Sequence, residues 1–409
     1  MAAYKWLPKM AAIWASEKPV YIANADSLAA AITAGELALG RRLPAQRELA
    51  SLLSVDLTTV TRAYREAHSC GLVEAHAGRG TFVADVSAAS RINSGLVDMA
   101  MNHPRRTPTL RTSLRSALEE MSQIVDTDVP TGYGAHAGNP TDRLLGAQWV
   151  AQRLHGCQME QLAICSGVQG ALLLFCLTAV GGGGKLLTQS LTYAGIKSVA
   201  AHLDIELIGV PLDEHGLCPD ALRRRCAQTG ARALYCTPAL HNPTAVTMPL
   251  ERRREIAQVI DQTGLLVLED DVYGLLRAHA PAALATLVPA QVLYATSLSK
   301  IAAPALRVGY LVTPSARWFT QLEGAMRAVV FSSSPYNVLV ARALIAGGYL
   351  SDVVASITTE ARVRQQIAAE YMADANYHSA VDSHHGCLTL PPQRSTAAYV
   401  ALAVGGLSL

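Results

Sequence analysis

Ser297-Leu298-Ser299-Lys300 follows the apolar run Gln291 to Tyr294, and Arg307 stands seven positions after the lysine. A lysine placed where a strand opens into a loop can form an imine with a carbonyl compound, once desolvation and nearby cations lower its pKa. Ser297 and Ser299 can hydrogen-bond a phosphate, and the forked guanidinium of Arg307 suits the same group. A second chemical run, Glu269-Asp270-Asp271-Val272-Tyr273, follows Leu265 to Leu268. A carboxylate held there can pair with a protonated ring nitrogen, and Tyr273 can reach a phenolic oxygen three residues on. Metal binding by the three carboxylates is not expected, because no histidine accompanies them.

Three further segments have the same placement after an apolar run. His241-Asn242-Pro243-Thr244 follows Ala233 to Cys236. An asparagine before proline is kept out of the helical region, which aims its amide. Ser166-Gly167-Val168-Gln169-Gly170 joins the run ending at Cys165 to an apolar helix, whose first N–H groups and dipole make an anion site. Tyr193 lies just past Lys185 to Thr188 and can stack on a planar ring. An imine-forming lysine, an acid for a pyridine nitrogen, a donor to a phenolic oxygen, a stacking ring and a phosphate cup are the five requirements of pyridoxal 5′-phosphate (PLP). PLP is the cofactor expected.

The elements that must position these groups are short apolar runs alternating with helical stretches. Leu162–Cys165, Lys185–Thr188, Glu206–Val210, Ala233–Cys236, Leu265–Leu268 and Gln291–Tyr294 read as strands of a mostly parallel sheet covered on both faces. The 409 residues suit two or three domains. Half of them are hydrophobic and 16% are charged, which excludes a disordered chain. The formal charge of +2 argues neither for nor against nucleic acid. The eight cysteines are scattered without C-x-x-C pairs, as expected of reduced, buried thiols in a cytoplasmic protein. No signal peptide is read at the N-terminus, and the run Gly170 to Val180 is too short to span a bilayer, so no membrane partner is expected.

The first 86 residues have a different pattern. Asp26-Ser27 can cap a helix that Gly35 ends, and Gly40 to Pro44 reads as a turn. Ala45 to Leu53 and Leu57 to His68 then read as a helix pair, with a tight turn at Ser54-Val55-Asp56. Gly71 to Glu74 and Thr81 to Val83 read as two strands around Ala77-Gly78-Arg79-Gly80. This is a helix-turn-helix with a winged hairpin, expected over residues 12–86 and followed by a small, polar linker at 87–95. Thr58, Thr59, Thr61 and Arg62 lie near the start of the second helix, which places them to meet phosphates and base edges in a major groove. Arg79 can reach the duplex from the wing tip. Nine Lys/Arg stand against eight Asp/Glu in residues 1–86, a weaker basic excess than most DNA-binding domains carry.

The head resembles the winged helix of GntR-family transcriptional regulators, on Gly40, Leu43-Pro44, Arg47-x-Leu49-Ala50, Val60-x-x-Ala63-Tyr64, Gly71-Leu-Val and Gly80-Thr-Phe-Val. That resemblance implies that Arg47, Arg62 and the turn from Thr58 to Thr61 contact DNA, and Cys70 departs from the polar or basic residue expected before Gly71. From about Asp98 to Leu390 the motifs resemble fold-type-I PLP aminotransferases, in the same chain order. That resemblance implies a Schiff base on Lys300, Asp270 on the pyridine nitrogen, and Asn242 and Tyr273 on the phenolic oxygen. Tyr193 would stack on the ring, and Gly167, Val168, Gln169, Ser297, Ser299 and Arg307 would hold the phosphate. Tyr133, in Gly132-Tyr-Gly-Ala-His-Ala-Gly138, resembles the tyrosine that reaches a phosphate across a dimer interface, which implies a homodimer.

The order of head, linker and aminotransferase-like domain (residues 96–409) resembles the MocR-type subgroup of GntR regulators. It implies a multidomain winged-helix and α/β transferase fold, double-stranded DNA as partner, and a small amino compound or PLP as effector. The competing reading is a working class I/II aminotransferase with an appended DNA-binding head. A third is a dimerisation domain that no longer binds PLP. In aminotransferases of this type an arginine well beyond a motif like Gly386-Cys-Leu-Thr-Leu390 holds the substrate carboxylate. No arginine follows Arg394 before Leu409, so the small C-terminal domain reads as incomplete and turnover as weak or absent.

Overall fold

The computed structural model describes residues 27–28, 31–32, 36–37, 40–53, 55–69, 72–76, 80–83, 102, 104–128, 133–277, 279–373 and 375–389. Contacts divide them into two units, with described residues up to Val83 in the first and those from Asn102 to Thr389 in the second. The linker, Cys70, the wing tip with Arg79, the expected cap residues Asp26 and Gly35, Ser54, Leu390 and Arg394 lie outside the described residues.

In the first unit, α1 (Gln46–Leu53) and α2 (Leu57–Ser69) are followed by the antiparallel pair β1 (Val73–His76) and β2 (Gly80–Val83). Asp56 Oδ1 accepts the main-chain N–H of Thr58 and starts α2. Leu49, Val60, Tyr64, Ala67, Val73 and Val83 close the core, and the Tyr64 hydroxyl donates to the Pro44 carbonyl at 2.9 Å. Leu43 N–H bonds Thr81 O, and Val83 N–H bonds Arg41 O. Residues 41–43 therefore run beside β2, where a turn alone was expected.

The second unit holds a seven-stranded sheet. Its strands are β3 (Leu162–Cys165), β4 (Lys185–Gln189), β5 (Glu206–Val210), β6 (Ala233–Cys236), β7 (Leu266–Asp270), β8 (Val292–Ser297) and β9 (Gly309–Val312). Their order is β3-β9-β8-β7-β6-β4-β5. β4, β5, β6, β7 and β8 pair in parallel, while β9 runs antiparallel to both β8 and β3. β9 has no counterpart among the expected strands. Every residue of β3, β6, β8 and β9 is buried, as a two-sided cover requires.

The helices that follow strands bring chemistry to the strands' carboxyl ends. α3 (Pro108–Asp128) and α4 (Pro140–Val150) precede the sheet, and α5 (Gly167–Phe175), α6 (Ala194–His202), α7 (Pro219–Thr229) and α8 (Leu250–Thr263) come after β3, β4, β5 and β6. Asn139 caps α4 by accepting the Asp142 N–H at 2.9 Å. Gly230 and Gly264, in the left-handed conformation, end α7 and α8. α9 (Ala316–Val329), α10 (Pro335–Ala346) and α11 (Tyr349–Tyr371) then lead to a small hairpin of β10 (Tyr377–Ser379) and β11 (Gly386–Leu388). Among the described residues no single helix is long and apolar enough to cross a membrane. Cys165, Cys176 and Cys236 are buried free thiols, as expected, while Cys157, Cys218, Cys226 and Cys387 are only partly covered.

Candidate functional site

The carboxyl ends of β6, β7 and β8 and the start of α5 converge on Lys300. β-strand alternation sends Asp270 to the opposite side of β7 from Glu269. Glu269 accepts from Leu284 and Ala285 N–H groups and pairs with Arg253, and Asp271, past the strand end, takes Arg153 Nε at 2.8 Å and the Tyr294 hydroxyl at 3.0 Å. Asp270 Oδ2 accepts the Tyr235 hydroxyl at 2.8 Å, and Oδ1 is buried with no hydrogen-bond partner among the described residues. Burial pushes the Asp270 carboxyl up to about 6, against the opposing pull of Tyr235 and Lys300. A buried carboxylate with one oxygen free is the partner that a protonated pyridine nitrogen requires.

Lys300 is partly buried. Burial and, more weakly, the Arg307 charge lower its pKa, while Asp270 opposes them. Its Nζ donates to the main-chain carbonyl of Asn102. Asn102 Nδ2 in turn donates to the Tyr273 hydroxyl at 2.8 Å and meets His385 Nδ1 at 3.1 Å. Tyr273 is buried, and burial followed by the Asp270 charge raises its pKa. Tyr193 is electrostatically coupled to Asp270 and Arg307, and its ring lies against Gly195, where an added Cβ would stand 2.2 Å from Cε1. Lys300, Asp270, Tyr273, Tyr193 and Arg307 are thus gathered into one site.

The phosphate candidates lie at the start of α5. Gly167 has φ +72°, and Arg307 Nη2 would stand 2.9 Å from a Cβ there. Arg307 Nη2 donates to the Ser166 carbonyl at 2.8 Å. Gly309 completes the close approach, since a Cβ on it would lie 2.7 Å from the Gly167 carbonyl carbon. Val168 is buried in the first turn, and Gln169 Nε2 donates to Gly195 O at 3.1 Å. The Ser299 N–H donates to Ser297 Oγ at 3.3 Å. Gly167→Ala should therefore cost about 1–2 kcal/mol in backbone strain and displace Arg307, so PLP affinity should fall about tenfold in an absorbance titration. Unchanged affinity would remove Gly167 from the phosphate cup.

Asn242 joins Pro243 through a cis peptide bond and is half-buried. The preceding His241 carbonyl receives His385 Nε2 at 3.1 Å. Tyr133 is 91% exposed, with its ring 4.9 Å from that of Phe331. In the head, Arg47, Thr58 and Arg62 are exposed and Thr59 is half-buried. Thr61 differs from its neighbours, because its hydroxyl donates to Gln46 Oε1 and Leu57 O, both at 2.9 Å, and so ties α2 to α1. No group of three His, Cys, Asp or Glu side chains able to hold a metal occurs among the described residues.

Four contributors had no signal of their own in the sequence. Tyr235 sits within a strand that reads as core, and Asn102, His384 and His385 come from positions far from Lys300 in the chain. Burial brings the His384 ring down to about 4, and the Lys300 charge adds to that. Its Nε2 is buried without a partner among the described residues.

A family model for class I and II aminotransferases matches residues 94–391, and one for bacterial regulatory proteins of the gntR family matches residues 23–83. The chain belongs to the class I and II aminotransferase family, with a GntR helix-turn-helix head. This family member is 26% identical to the uncharacterized HTH-type transcriptional regulator YdeF of Bacillus subtilis, over 95% of this chain and 85% of that one. It is 24% identical to the probable rhizopine catabolism regulatory protein MocR of Rhizobium meliloti, over 81% of this chain and 72% of that one. Its fold matches the kynurenine aminotransferase of Pyrococcus horikoshii, solved with PMP, at a TM-score of 0.68, 22% identity and coverage of 79% and 83% of the two chains. The mixed sheet with its antiparallel β9 is therefore the fold-type-I aminotransferase sheet.

Proposed function

We propose that this protein is a DNA-binding transcriptional regulator whose aminotransferase domain holds PLP on Lys300 and responds to a small amino compound. The observation that carries the reading is the buried Asp270, with Oδ1 unpartnered among the described residues, acting electrostatically on the partly buried Lys300, on a chain that also carries a winged helix. PLP, when bound, supplies an electron sink for carbon atoms attached to its imine nitrogen. In this reading Lys300 provides the amine that bonds the aldehyde, and Asp270 faces the ring nitrogen. Asn242 and Tyr273 serve the phenolic oxygen, and Tyr193 covers the ring. Gly167, Val168, Gln169, Ser297, Ser299 and Arg307 hold the phosphate. The exposure of Tyr133 beside Phe331 supports a homodimer in which Tyr133 serves the partner's phosphate. Arg47, Thr58, Thr59, Thr61, Arg62 and Arg79 face double-stranded DNA, with the Thr61 hydroxyl engaged between the helices. A cytoplasmic location follows from that role and from the free thiols.

An amino compound acts on the head only through unequal affinity for two arrangements of the dimer. The test pairs two measurements on the full chain. Added PLP should give a visible absorbance band. Arg62→Ala should weaken binding to a DNA fragment selected by the wild-type protein by about 1–3 kcal/mol and flatten its salt dependence. A colourless protein removes the cofactor from the reading, and DNA binding indifferent to Arg62 removes this face of α2 from the interface. A second reading, an active aminotransferase, is favoured by the desolvated Lys300, since desolvation favours the neutral amine that can accept a proton. Release of a keto acid from an added amino acid would support it.

Asp270 gives the site a pH signature. Its folded pKa of about 6 lies above the ordinary 3.8, so the fold favours the protonated carboxyl. The associated stability is present below pH 4 and is lost as pH rises to 6, on the order of 3 kcal/mol. In the cofactor-free protein, the denaturation midpoint of wild type minus that of Asp270→Asn should fall across this window. PLP affinity should rise over the same window, because a pyridinium prefers the ionised carboxylate. A difference that stays flat with pH would place Asp270 outside the buried site.

A further inference from the structure

Asn102 is the one described residue between Val83 and Pro104, and it is the third residue of the unit that begins at Ala100. It is bound from three directions. Its carbonyl receives Lys300 Nζ, its amide donates to the Tyr273 hydroxyl, and the same amide meets His385 Nδ1. His385 is itself anchored, with Nε2 on the His241 carbonyl and its ring 5.4 Å from that of Tyr273. One residue at the start of the domain is therefore tied to the reactive lysine and to the tyrosine beside it.

We propose that Asn102 reads the chemical state of Lys300, held while the amine is free and released from it when the amine is captured. The proposal rests on the cofactor reading above. When the neutral amine attacks an aldehyde, a C=N bond forms to Nζ and the aldehyde oxygen leaves as water with both amine hydrogens. Nζ then has no hydrogen to donate, or one if the nitrogen is protonated, and the phenolic oxygen ortho to the aldehyde claims that one. The Asn102 carbonyl loses its donor in either case. Tyr273 and His385 keep the side chain near, so the change is a loosening of the main chain at residue 102. Exchange of the C=N bond to an added amine moves two hydrogens from that amine to Nζ and restores the hold. A contact that opens with cofactor and closes with effector, at the point where the chain from the head joins the domain, is suited to pass ligand state along the backbone.

The test is amide hydrogen exchange of the full-length protein, followed on the peptide that contains Asn102. Without cofactor, Lys300→Met should speed exchange there about threefold or more relative to wild type, and Lys300→Arg, which keeps a donor, should stay near wild type. Far-UV circular dichroism checks that both variants fold. Wild type loaded with PLP should approach the Lys300→Met rate. Exchange in Lys300→Met equal to wild type, or slower exchange in loaded wild type, would overturn the proposal. A wild-type protein that gains no absorbance band with PLP fails the cofactor reading instead, and the Lys300→Met comparison still decides whether Lys300 holds Asn102.

Discussion

Lys300→Ala is expected to abolish the visible band that wild-type protein gains with PLP, and to weaken cofactor retention by about a hundredfold, roughly 3 kcal/mol. The loss should be complete because no other described lysine can replace it. Lys185 is exposed and pairs loosely with Glu206 at 3.9 Å, and Lys197 is exposed on α6. Among the described lysines only Lys300 is partly buried and under the influence of a buried carboxylate, and desolvation there favours the neutral, nucleophilic amine. Lys300→Arg separates charge from chemistry: it keeps a cation near Asp270 yet cannot form a stable C=N bond. The band should be absent from both variants. Spectral titration followed by gel filtration measures band and retention together, and an undiminished band in Lys300→Ala would mean that another amine carries the aldehyde.

The second large effect is on stability. Glu269→Ala should lower the unfolding free energy by about 3–5 kcal/mol, read as a shift in the urea midpoint. Arg253 and Glu269 are both fully buried, 3.6 Å apart. Arg253 also donates to the Met248 and Ala282 carbonyls at 3.0 Å, and Glu269 takes two main-chain N–H groups. Removing the carboxylate strands the guanidinium among apolar strands and frees the Leu284 and Ala285 N–H groups. Burial, reinforced by Asp271, already raises the Glu269 pKa, so the pair survives on its hydrogen bonds as much as on its charge. Replacing both partners, Arg253→Met with Glu269→Leu, should be far milder than Glu269→Ala. A single variant no less stable than wild type would show that the pair does not support β7. The point bears on function because Glu269 precedes Asp270: a disturbed β7 moves the carboxylate that faces the ring.

Much of the site could be read along the chain because each part follows an apolar run, and apolar runs between helices become strands whose carboxyl ends share one edge. Ser297 to Lys300, Asp270 to Tyr273, Asn242 and Gly167 to Gln169 were placed in this way. The two glycines at the phosphate end illustrate the boundary. Gly167 could be read as opening a helix, but its partner Gly309 belongs to β9, whose pairing with β8 and β3 has no local sign. Thr61 shows the same limit in the head, where a residue of groove-facing type turns its hydroxyl to Gln46 instead.

The sequence by itself determined that two kinds of domain are joined, and that Lys300, Asp270, Tyr273 and Tyr193 follow apolar runs that read as strands, with Arg307 seven positions after the lysine. Residue type and the alternation of apolar runs with helical stretches suffice for that. Only the tertiary structure decided which side of β7 opens on the lysine, because that depends on Arg253, from the preceding helix α8, taking up Glu269. It also decided that Asn102, Tyr235 and His385 complete the site. Their contacts span from 35 to nearly 300 residues of chain, and no local pattern specifies a hydrogen bond that only folding brings within reach.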